Sequence, residues 1–64
     1  MKPEIKAYIE CAFVVKSECC EIEAAFNYMN GVLDTLHMMK RITDSEFEKA
    51  FSDLVDWRMG KLFP

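Results

Sequence analysis

Residues 5–36 read IKAYIECAFVVKSECCEIEAAFNYMNGVLDTL, and the way this stretch divides decides the fold. Ile5, Tyr8, Ala12, Val15, Cys19, Ile22, Phe26, Met29, Leu33 and Leu36 fall on alternating three- and four-residue steps, the a/d pattern of a heptad. All ten positions are apolar, in a segment that is apolar at 20 of 32 positions. The unbroken phase predicts one long N-terminal helix over about residues 3–41. Pro3 suits its first turn, where a missing N–H costs nothing, and Glu4 complements the positive end of the helix dipole. Lys40 and Arg41 stand where a helix C-terminus favours cations. Gly31 points away from the seam and is compatible with a bend or a break.

A second helix is expected over about residues 44–59. Thr43 followed by Glu46 is a capping box, and Ile42 with Phe47 occupies the hydrophobic-staple positions around it. Phe47, Ala50, Phe51, Leu54 and Val55 form one stripe at helical spacing, opposite Glu48, Lys49, Ser52, Asp53 and Asp56. Gly60 reads as a left-handed stop, followed by a short apolar tail from Lys61 to Pro64.

A short connection makes the two helices antiparallel neighbours, which gives an all-α helical hairpin. At 1.5 Å per residue the second helix spans about 24 Å and the first about 57 Å. More than half of the long helix is then uncovered, and the uncovered part carries Ile5, Tyr8, Ile9, Ala12, Phe13 and Val15. So much apolar surface calls for a partner, most simply a second copy across a two-fold axis. These six residues are the expected homodimer interface. The alternative is a monomeric three-helix bundle in which the first helix breaks near residues 17–20, with Ser17 as a tolerable N-cap.

The stretch Ile42-Thr43-Asp44-Ser45-Glu46-Phe47-Glu48, with Leu54 and Val55 beyond it, resembles the short C-terminal domain (SHOCT) family of small helical hairpins. The resemblance covers about twenty residues. It implies an oligomerisation or interaction module and transfers no site residues.

Sixty-four residues leave room for one domain, residues 1–64, with one small core. Three cysteines, with no Cys-x-x-Cys pair, disfavour a disulfide scaffold and suit a cytoplasmic chain with free thiols. The apolar run from Ala7 to Val15 is too short for a membrane span and is interrupted by Glu10. Eight Lys and Arg against eleven Asp and Glu give a net charge of −3, which removes the usual basis for non-specific nucleic-acid binding. Lys2, Lys6, Lys40, Arg41, Arg58 and Lys61 would have to gather at the ends of the fold to provide one.

Cys11, Cys19, Cys20 and His37 are the only soft metal ligands, and their spacing along a helix does not build a tetrahedral site. Glu18, Glu21 and Glu23 cluster, but on different sides of a solvated helix, without the pocket that acid–base catalysis needs. No metal, cofactor or catalytic residue is therefore expected. Trp57, Arg58 and Phe63 lie beyond the end of the second stripe; either this tail folds back and caps the core, or these three are the partner-binding residues, since aromatic and Arg side chains dominate binding hot spots. The expected function is a small non-enzymatic protein–protein interaction module, an adaptor, regulator or inhibitor of phage or mobile-element type, acting as a homodimer. A nucleic-acid-associated regulator and a thiol or metal sensor are the alternatives.

Overall fold

The computed structural model describes residues 1–62, with side chains through residue 60. Three helices follow one another: α1 (Pro3–Cys19), α2 (Ile22–Met38) and α3 (Asp44–Leu62), with no strand among the described residues. The all-α expectation holds, but the continuous helix over 3–41 does not. It is broken at Cys20 and Glu21, whose backbones are extended (φ −124°, ψ 159° and φ −66°, ψ 157°). The principal-axis extents of 33 × 20 × 17 Å have no room for a rod of about 57 Å.

Two local features favour the break. Lys16 lies in the last turn of α1, while Glu21 stands at the N-cap position of α2 and Glu23 in its first turn, so each charge lies at the helix end that favours it. Ser17 also turns its hydroxyl back onto the Val14 carbonyl at 3.0 Å, a bond that weakens a helix from within. The continuity of the heptad was carried by residues that the fold turns outward. Tyr8, Val15 and Cys19 are exposed, whereas Ile9, Ala12 and Phe13 pack on the core. The packing face of α1, which keeps Ala12, is therefore rotated by roughly 70° from the seam that its spacing suggested.

The core is built on α2. Phe26, Met29 and Leu33 are buried together with Leu54 of α3, and Phe47, Ala50, Phe51 and Val55 pack around them as the stripe required. Gly31 lies inside α2 and is exposed, so neither a bend nor a break is needed there.

The turn between α2 and α3 is held at both ends. Lys40 sits in the left-handed region (φ 59°), its amide bonded to the His37 carbonyl at 3.0 Å. The Arg41 amide reaches the Leu36 carbonyl at 2.8 Å. This is the Schellman closure of a helix C-terminus, made with lysine where glycine is the usual residue. Lys40→Gly should stabilise the chain by about 0.5–1 kcal/mol, as a rise in melting temperature measured by circular dichroism. An unchanged or lowered melt would mean that Lys40 is not strained.

On the far side of the turn the Thr43 amide donates to Glu46 Oε1 at 2.8 Å, and the Glu46 amide donates to Thr43 Oγ1 at 3.2 Å. Both bonds of the expected capping box are present. Glu46 also takes an ion pair from the Met1 ammonium, which with the Thr43 amide holds its carboxyl below the usual range. A carboxylate depressed in this way stabilises the fold at neutral pH and loses that effect as pH falls through the depressed value. Thr43→Ala should cost about 1 kcal/mol at neutral pH in denaturant titration, leaving the molecular mass unchanged.

α3 continues through Gly60, which is helical and has open space where a Cβ would stand, so the expected stop at that residue is absent. Helix-promoting neighbours carry the chain through a glycine that costs only about 1 kcal/mol.

Candidate interaction surfaces

The structure divides the expected dimer interface between two sides of α1. Ile9, Ala12 and Phe13 pack on the core cluster, and Ile5 is half-buried. Tyr8 and Val15 remain outside, 53% and 52% exposed. Val14, 51% exposed, and the exposed Ala7 and Cys11 join them, giving α1 an apolar outer face bounded by Glu4 and Glu18. Val14 and Cys11 are not among the six residues of the expected interface. The signal for them was the second stripe at positions 7, 8, 11, 14 and 15, which a single-seam reading passes over. α1 thus has apolar residues around most of its circumference and no fully buried one.

The three expected partner-binding residues separate as well. Trp57 turns inward and meets Phe13 edge-to-face, with ring centroids 5.1 Å apart. Arg58 holds α3 to α2: its guanidinium pairs with Glu23 at 2.9 Å and lies 4.5 Å over the Phe26 ring. Trp57 is engaged because α1 supplies a third surface that a two-helix hairpin lacks, and Arg58 because α2 presents Glu23 and Phe26 to it. Phe63 lies outside the described residues.

Between α1 and α3 runs a groove of about 750 Å³, floored by Met29 and Leu33 and walled by Ile9, Phe13 and Val14 on one side and Ala50 and Leu54 on the other. Lys6, Glu10, Lys49 and Asp53 stand along it. No spacing within a single helix announces this groove, since its walls come from helices that are distant in the chain.

Cys19, Cys20 and the imidazole have local partners. Cys19 Sγ and Cys20 Sγ lie 3.5 Å apart, and this hydrogen bond, with smaller help from desolvation, pushes the Cys20 thiol up. A raised thiol pKa leaves less of the nucleophilic thiolate. His37 stacks on Phe47 with centroids 4.5 Å apart, and its Nε2 is 2.6 Å from Asp44 Oδ1, which ties the end of α2 to the start of α3. Among the described residues no three His, Cys, Asp or Glu side chains converge as a metal site would require. No helix among them is long and apolar enough to cross a membrane.

The basic residues do not assemble into a tract. Lys2, Lys40 and Arg41 come to the end of the bundle that also holds Asp44 and Glu46, while Arg58 pairs with Glu23 at the opposite end. Lys61 has no described side chain. Comparison with protein-family models, with curated proteins and with solved structures yields no match.

Proposed function

We propose that this chain is a small non-enzymatic protein–protein interaction module that acts as a homodimer, pairing through the outer face of α1. The observation that carries this reading is the double use of α1. Its inner stripe is already spent on the core, yet Tyr8 and Val15 are still about half exposed on the other side with Cys11 beside them, and Val14, also half exposed, stands at the edge between that side and the groove. A helix that is apolar most of the way round is a helix covered on both sides, and a short chain gains most by covering it with its own copy. This interface keeps Tyr8 and Val15 of the expected six, adds Cys11 and Val14, and leaves out Ile9, Ala12 and Phe13, which pack on the core. The resemblance of residues 42–55 to SHOCT-type hairpins, which implies an oligomerisation or interaction module, points the same way.

Light scattering coupled to size exclusion tests it. The wild-type chain should run at about twice 7.5 kDa at high micromolar concentration. The exposed position of Val15 makes Val15→Glu a change the monomer tolerates, so this variant should run as a folded monomer with an unaltered helical spectrum. A wild-type monomer at that concentration would end the homodimer reading.

A further inference from the structure

Three helices packed as a triangle touch in three pairs, but here only two pairs are close. α2 packs against both neighbours, while among the described residues no Cα of α1 comes within 8 Å of a Cα of α3. α1 and α3 reach each other through side chains, the Met1 ammonium meeting Glu46 at one end and Phe13 meeting Trp57 further along. These two contacts make α1 and α3 parallel. The arrangement is three corners of the square that a four-helix bundle fills, and the groove lies where the fourth helix would pack.

The charges along the groove are ordered. With Met1 opposite Glu46 and Phe13 opposite Trp57, Lys6 stands level with Lys49 to within about two residues, and Glu10 stands level with Asp53, one turn further on. Like charges therefore face each other across the mouth, two cations and then two carboxylates. Lys49 and Asp53 reach each other along α3 at 3.5 Å, and Lys6 enters no ion pair among the described residues. Like charges resist closure of the groove and are relieved by an occupant that carries the opposite sign at each level.

We propose that this vacant corner takes an amphipathic helix from a partner protein, antiparallel to α1 and α3. Its apolar stripe lies against the half-buried walls at Ile9, Phe13 and Ala50, with carboxylates toward Lys6 and Lys49 and cations toward Glu10 and Asp53. The distance between the two end contacts, about 16 Å, accommodates roughly eleven helical residues. The antiparallel direction opposes the aligned dipoles of α1 and α3. The outer face of α1 from a second copy does not meet the charge requirement. It is flanked by Glu4 and Glu18, while Lys16 lies to another side, over the exposed Tyr28 ring at 4.4 Å. The proposal does not rest on the pairing of α1 faces.

Two synthetic peptides test it, acetylated and amidated, each about fourteen residues long with the same leucine stripe. One carries lysines in its N-terminal half and glutamates in its C-terminal half; the other has these charges exchanged. In calorimetric titration of the intact chain, the lysine-first peptide should bind about tenfold more tightly than its counterpart. The preference should invert on the surface variant Lys6→Glu/Glu10→Lys/Lys49→Glu/Asp53→Lys, whose fold is checked by circular dichroism. Repeating the titration on Val15→Glu separates this site from self-association, because groove binding should survive there whatever the mass of the wild type. Binding of neither peptide, equal binding of both, or a preference that the charge exchange leaves in place would each overturn the proposal.

Discussion

Phe13→Glu is expected to abolish the cooperative thermal transition of the chain, whatever its state of association. Phe13 is the aromatic side chain with which α1 meets α3, edge-on to Trp57 at 5.1 Å and packed on the cluster of Phe26, Met29, Leu33 and Leu54. α1 has no fully buried residue and is held by a few half-buried ones, so the loss of one is felt by the whole helix. A carboxylate placed there either sits unpaired in an apolar site or drives α1 away from the bundle. Either outcome costs several kcal/mol, against the roughly 3–5 kcal/mol that a core of this size supplies. The signature is a red shift of Trp57 emission together with a sloping melt. A sharp melt at the wild-type temperature, with only the mass halved, would instead put Phe13 at the surface between two copies. The contrast with Val15→Glu is the useful one. Phe13 and Val15 lie two residues apart on α1, yet one faces the core and the other water, so the same charge is expected to unfold the chain at Phe13 and, under the proposed pairing, only to dissociate it at Val15.

The parts of the fold that could be read from the sequence are those determined within a few residues. The Thr43–Glu46 box pairs side chain and backbone across three residues, and the stripe from Phe47 to Val55 needs only the helical period. The break at Cys20 and Glu21 was harder, because apolar residues crowd residues 5–36 so densely that a heptad runs through them whichever face is buried. Its trace was electrostatic: Lys16 closing one helix, and Glu21 and Glu23 opening the next. The left-handed Lys40 had no compositional signal, since a lysine there carries strain that the Schellman bonds offset.

The interaction surfaces were legible only in part, for a related reason. Tyr8 and Val15 were identified in a set with Ile9 and Phe13 because a helix next to an unknown partner has no inside. Once α1 folds onto α2, that set divides. Trp57 lies off the centre of its own helix's stripe, which leaves its direction open between solvent and core, and the structure half-buries it against a ring from another helix. The groove depends on a helix pair that fails to come together, a property that no single segment records.

Leu33→Ala tests how much of the stability resides in α2. Leu33 is only 2% exposed, at the centre of the cluster and on the floor of the groove. Leucine-to-alanine changes in cores cost about 2–5 kcal/mol, the larger values where the cavity neither collapses nor fills. Here the space left behind adjoins an open groove, so its walls relax easily and the cost should fall near the lower end, about 2–3 kcal/mol. For a domain of this size that lowers the melting temperature by about 10–20 °C. Met38→Ala is the control on the same helix: at 75% exposure the side chain buries little, and its removal should change stability by less than about 0.5 kcal/mol. Equal losses from the two variants would show that α2 is not the central element. A Leu33→Ala cost near 5 kcal/mol would mean that the groove is closed over in solution. Because the same leucine floors the groove, the loss in stability and any loss in peptide affinity should appear together in Leu33→Ala, whereas exchanging the rim charges at Lys6 and Asp53 should change the affinity alone.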